Sequence, residues 1–156
     1  MKRLLLTIST CLITGFFAAS VFAAGSWTLV SSGSSPGSDL RWMQYQATAD
    51  ASDGSVPDYT VTGFSGFFLY TVETWPGTTA PTDATDCTLS DATTGEDLLG
   101  GNGTNGIDAT SSLTLLPKSA AMDISYTPPI KGSLTLGVTN NSVNSAIINV
   151  RITGGK

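Results

Sequence analysis

The chain has 156 residues, with 17 Gly, 7 Pro, 12% charged residues, no His and a formal charge of −5. Without His, the Ser-His-Asp and Cys-His machineries, His-bearing zinc sites and the commonest general base near neutral pH are all excluded. The acidic balance argues against a nucleic-acid partner, because binding phosphate needs clustered Lys and Arg.

Residues 1–23 read as a secretory signal peptide. Lys2 and Arg3 supply the positive start, residues 4–22 the apolar stretch, and Val21-Phe22-Ala23 the cleavage site, with cleavage expected after Ala23. Thr7, Ser9, Thr10, Thr14 and Gly15 dilute the run, whereas a span needs roughly 20 predominantly apolar residues, so no stable membrane span is expected. Thr10 before Cys11 is a poor lipoprotein site, and Ser20 stands where a prepilin following Gly15-Phe16 would carry Glu. Cleavage leaves a domain at 24–156 with 5 basic residues against 12 acidic ones, a formal charge of −7. It also leaves Cys87 alone, so an exported product would have no intramolecular disulfide, and Cys87 is expected to serve as a small buried apolar residue.

Downstream of the leader the chain reads as short strands separated by turns. Ser26 to Val30 and Arg41 to Thr48 are β-branched and aromatic, with Trp42, Gln44 and Gln46 alternating against Met43, Tyr45 and Ala47. Tyr59 to Trp75 carries the strongest strand signal, with Gly63 and Gly66 as places for a β-bulge. A loop around Pro81 leads to a short strand at Cys87 to Leu89 and a hairpin-like turn at Asp91 to Gly95. Gly100, Gly101, Gly103 and Gly106 mark what should be the longest mobile loop. Ser112 to Leu116 is a further strand, Pro128-Pro129 breaks the chain, and residues 133–152 alternate as a terminal antiparallel hairpin with one buried face. No segment sustains a 3.6-residue period. Seven or eight short strands in 133 residues give an all-β expectation: one antiparallel β-sandwich, jelly-roll-like, at 24–156.

Chemistry-bearing patterns are sparse. Gly100 to Asp108, GGNGTNGID, matches one copy of the nonapeptide that binds calcium in parallel β-helices, but such sites form between stacked turns and one copy cannot close the shell. The neighbouring acids Asp83, Asp86, Asp91, Glu96 and Asp97 lack the EF-hand ladder. Two carboxylates suffice for glycoside hydrolysis, yet Glu73 and Glu96 are the sole Glu residues and neither lies in a recognisable motif. The expectation is therefore a protein that is not an enzyme, with no catalytic residue, no metal site and no cofactor. Trp27, Trp42, Trp75, Tyr45 and Tyr70 could stack sugars on one sheet face or pack in a core; Trp42, Tyr45 and Trp75 are the candidate ligand-binding residues.

From Gly66 the stretch GFFLYTVETWPGTTAPTDATDCTLSDATTGEDLLGG, followed by IKGSLTLGVTNNSVNSAIINVRI, resembles small phage structural proteins over about residues 66–152. In these a strand precedes a nearly fixed loop, here Pro76 to Asp83, then an Asp-rich strand, here Asp86 to Asp91, and a Leu-Gly-Gly turn, here Leu99 to Gly101. The resemblance implies a non-catalytic virion component. The leader departs from that family, whose members assemble in the cytoplasm. A host protein sharing the domain, a prophage gene recruited for export or a secreted surface subunit would each reconcile the two. The combined expectation is a non-catalytic exported structural or interaction protein, periplasmic, on the cell surface or extracellular, with a protein partner or self-association. The alternative is a secreted glycan-binding module.

Overall fold

The computed structural model describes residues 24–35, 37 and 39–156, so the expected leader lies outside the described residues. Among these the chain forms strands and no helix: β1 (Ser26–Ser34), β2 (Arg41–Thr48), β3 (Tyr59–Val61), β4 (Phe68–Pro76), β5 (Asp86–Asp91), β6 (Leu113–Leu115), β7 (Lys118–Ser119), β8 (Ile124–Ser125), β9 (Leu134–Thr139) and β10 (Ile147–Gly155). A five-stranded sheet has the order β1-β2-β10-β4-β6, a three-stranded sheet β3-β9-β5, and β7 pairs with β8. Every pairing is antiparallel and neither larger sheet closes on itself. No helix of the described residues is long and apolar enough to cross a membrane.

The two-residue period of the strands sorts their side chains. On the five-stranded sheet Tyr45 and Ala47 of β2, Leu69 and Val72 of β4, and Ile148, Val150 and Ile152 of β10 are buried. On the three-stranded sheet the buried set is Val61, Cys87, Leu89, Leu134, Leu136 and Val138. Both sets belong to one hydrophobic cluster, completed by Phe64, Leu98, Leu99, Ile107 and Ile130 from the connections. Burial of each such aliphatic side chain stabilises the fold by about 1.5–3 kcal/mol.

Three sequence expectations are corrected. Residues 133–152 do not form a hairpin: β9 is the central strand of the small sheet, while β10 is the central strand of the large one. Each flanks two other strands, so the apolar alternation that suggests a hairpin instead reports two strands buried in different sheets. The link between them crosses over by way of left-handed residues Asn140 and Ser145, at φ 63° and 57°. Asn141 anchors it, donating from Nδ2 to the Gly54 carbonyl at 2.6 Å and accepting the Thr82 N–H at 3.0 Å.

Nor is Tyr59 to Trp75 one bulged strand. Gly63 and Gly66, at φ 95° and 77°, turn the chain out of β3 in the small sheet and into β4 in the large one. Only glycine takes such angles without strain. The glycine-rich segment expected to be mobile is a run of consecutive turns, with N–H to carbonyl bonds Asn102 to Leu99, Thr104 to Gly101 and Gly106 to Gly103. Gly103 and Gly106 are buried within it.

Cys87 is fully buried, and burial together with the charge of Asp97 pushes its thiol up to about 12. Since the thiolate is the reactive form, Cys87 should stay unmodified when the native protein meets a maleimide at pH 8 and be alkylated once denaturant is added. Peptide mapping by mass spectrometry reads the outcome; stoichiometric native labelling would contradict the packing.

Candidate functional site

The face of the five-stranded sheet that points away from the core carries three cross-strand rows. Register places Thr28, Gln46, Asn149 and Trp75 in one row, Ser31, Gln44, Arg151, Glu73 and Thr114 in the next, and Gly33, Trp42, Thr153 and Thr71 in the third. Arg151, on the central strand, is the hub. Its guanidinium carbon lies 5.3 Å from the Trp42 ring centroid and 5.6 Å from that of Trp75, within cation–π range of both. Trp42 and Trp75 thus sit diagonally across one cation, each half-buried.

Polar neighbours fix the hub in place. Arg151 donates to Glu73 Oε2 at 3.4 Å and to Gln44 Oε1 at 3.3 Å, and Gln46 Nε2 donates to Asn149 Oδ1 at 3.1 Å. Arg151 Nε is buried and has no hydrogen-bond partner among the described residues. The ion pair is about 40% exposed on both sides, so it contributes at most about 1 kcal/mol to stability and acts mainly to orient the side chains. Trp42 spreads over Gly33: a Cβ there would lie 2.7–2.9 Å from the indole. The glycine therefore makes room for the ring against the sheet.

Of the three candidate residues, the structure brings Trp42 and Trp75 together and separates Tyr45 from them. Tyr45 is 3% exposed and lies on the opposite, core face, its ring 5.3 Å from that of Tyr59. Burial, and secondarily Tyr59, pushes its hydroxyl up to about 12. The physical reason is parity: residues three apart on a regular strand point to opposite faces. Trp27 also joins this inner cluster, 6.0 Å from Tyr59, with its indole N–H donating to the Pro57 carbonyl at 2.7 Å. Tyr70 lies further along β4, over Gly155. The sequence points to Glu73 only as a possible hydrolase acid and gives Arg151, Gln44 and Asn149 no role, although the alternation Ile148-Asn149-Val150-Arg151-Ile152 puts Asn149 and Arg151 on the face opposite the core.

The carboxylates around the glycine-rich loop hold turns. Asp86 accepts the Asn105 N–H at 2.7 Å, and Asp97 accepts those of Leu99 and Gly101, each at 2.9 Å. Asp108 accepts the Thr110 and Ser111 amides and the Thr110 hydroxyl, which hold its carboxyl below the usual range. Among the described residues no three His, Cys, Asp or Glu side chains gather where they could hold a metal ion.

Comparison with protein-family models, with curated proteins and with solved structures finds no match.

Proposed function

We propose that the protein is a non-catalytic, exported interaction protein: a cleaved leader at 1–23 and one β-sandwich domain, jelly-roll-like, at 24–156. The two sheets that share one core support the sandwich. The observation that carries the functional reading is the Trp42–Arg151–Trp75 cluster on the outward face of the large sheet. An aromatic and amide-rich face on a rigid sheet can present stacking surface and planar hydrogen-bonding groups with little loss of conformational entropy. Both Glu residues and four of the Asp residues are engaged within the fold: Glu73 with Arg151, Glu96 with the Tyr126 hydroxyl, and Asp86, Asp91, Asp97 and Asp108 with backbone N–H groups. A virion-associated or cell-surface structural role, as the resemblance at 66–152 implies, is compatible with such a face.

The same face favours a glycan as the ligand in the second reading, that of a secreted binding module. Trp75→Ala should then weaken glycan binding 10- to 100-fold, the loss of about 1.4–2.8 kcal/mol typical of a central aromatic anchor. Glycan-array profiling followed by titration of any sugar bound reads the effect. A wild-type protein that binds no glycan eliminates this reading and leaves a protein partner; a Trp75→Ala variant that binds a glycan as well as the wild type removes the Trp42–Arg151–Trp75 face as its site.

A further inference from the structure

We infer that the outer edge of β1 is an interaction surface whose occupant is a second copy of this chain. β1 is a nine-residue strand at one edge of the large sheet. The other sheet edges are protected by familiar means: β6 and β3 have three residues each, and β5 is covered by the glycine-rich segment, the Leu98 N–H donating to the Leu89 carbonyl at 2.9 Å and the Cys87 N–H to the Gly103 carbonyl at 2.8 Å. Short strands and covered edges do not pair with another chain. β1 has neither protection. No Asp, Glu, Lys or Arg occurs from residue 24 to residue 38, and no proline lies within the strand. Its one irregularity is a bulge between Leu29 and Ser31, and there Leu29 and Val30 are 47% and 50% exposed.

Charge identifies the occupant. The whole chain is acidic, with a formal charge of −5, so two copies repel over most of their surface. The uncharged β1 edge is where two copies can meet without opposing like charges, and it presents a second copy with the same uncharged row of N–H and C=O groups. Antiparallel β1–β1 pairing about a two-fold axis makes each strand donor and acceptor to the other, an isologous contact that closes at two copies. The large sheet then runs continuously through ten strands across the pair, about the size that open twisted sheets reach. A strand of nine residues is about 30 Å long, so the contact is below the size of a permanent interface and the pair is reversible, with a Kd in the micromolar range.

Sedimentation velocity on the protein as exported, followed from about 1 to about 500 µM, tests the pair. The expected result is a reversible monomer–dimer equilibrium. Val30→Lys, which places a charge in the pairing edge of both copies, should weaken it at least tenfold without moving the denaturant midpoint, and Thr114→Lys on the opposite edge should leave it unchanged. A wild-type protein that stays monomeric across the range overturns the proposal and leaves the edge to some other occupant. Association that grows past the dimer, that survives Val30→Lys, or that is lost with Thr114→Lys also overturns it.

Discussion

Replacing Asp91 with Asn should lower the unfolding free energy by about 3 kcal/mol at neutral pH, although the two side chains are nearly isosteric. Asp91 ends β5 and is 1% exposed. One carboxylate oxygen accepts the N–H groups of Thr93 and Thr94 at 2.9 and 3.1 Å, closing the turn that follows. The other accepts the Lys131 N–H at 2.8 Å, tying that turn to the segment entering β9. Burial alone would raise the carboxyl pKa, but bonds from the Lys131, Thr93, Thr94 and Gly132 amides outweigh it and hold the value below the usual range. Asn keeps one accepting oxygen and turns an NH2 group toward N–H donors, leaving at least one of them buried and unpaired.

The pH dependence has a definite sign. A carboxyl whose pKa is lower folded than unfolded stabilises the fold above its unfolded value, about 3.9, and loses that contribution as pH falls toward and through the folded value. Urea midpoints of the wild type and Asp91→Asn should therefore differ most at pH 6–7 and converge below about pH 4. A pH-independent gap would mean that the variant acts through altered packing. Equal midpoints at pH 7 would mean that the four amides do not depend on the charge.

Asp91 also shows what the sequence could not disclose. Its place beside Thr93, Thr94 and Gly95 marks a turn, and turn acids are usually solvated. Its burial depends on the segment around Lys131, forty residues on, which no local pattern announces. The all-β class was legible because alternation at Trp42 to Ala47 and Ile148 to Ile152 depends on one strand at a time. The pairing was not. Leu134 to Val138 and Ile148 to Ile152 alternate alike, and the assignment of one to each sheet is decided by partners at β3, β5, β2 and β4. At the candidate site, parity within β2 was enough to separate Tyr45 from Trp42. The meeting of Trp42 with Trp75 over Arg151 required three strands to be in register, and so became visible only in the fold.

The glycine-rich segment gives the prediction in which two readings differ in sign. In a mobile loop, replacing Gly with Ala removes freedom from the unfolded chain and raises stability by about 0.4–1 kcal/mol. Gly103 lies instead against β5: its carbonyl accepts the Cys87 N–H at 2.8 Å, and a Cβ on it would overlap the Cys87 carbonyl oxygen. Three residues on, the Gly106 carbonyl accepts the buried Thr74 hydroxyl of β4 at 2.6 Å. The loop is thus fastened to β5 of the small sheet and β4 of the large one, and Leu99 and Ile107 at its two ends enter the shared core. A methyl group at 103 must push backbone away from backbone, where no side chain can rotate aside. Gly103→Ala should therefore destabilise by about 2–4 kcal/mol, combining overpacking with a weakened Cys87 hydrogen bond. The exposed Gly101 has open space around its Cβ position but a φ of 87°, so Gly101→Ala should cost only its backbone strain, about 1–2 kcal/mol. Denaturant midpoints of the two variants measure the difference. If Gly103→Ala is neutral or stabilising, the segment does not bridge the sheets, and the link between β5 and β4 through this loop must be given up.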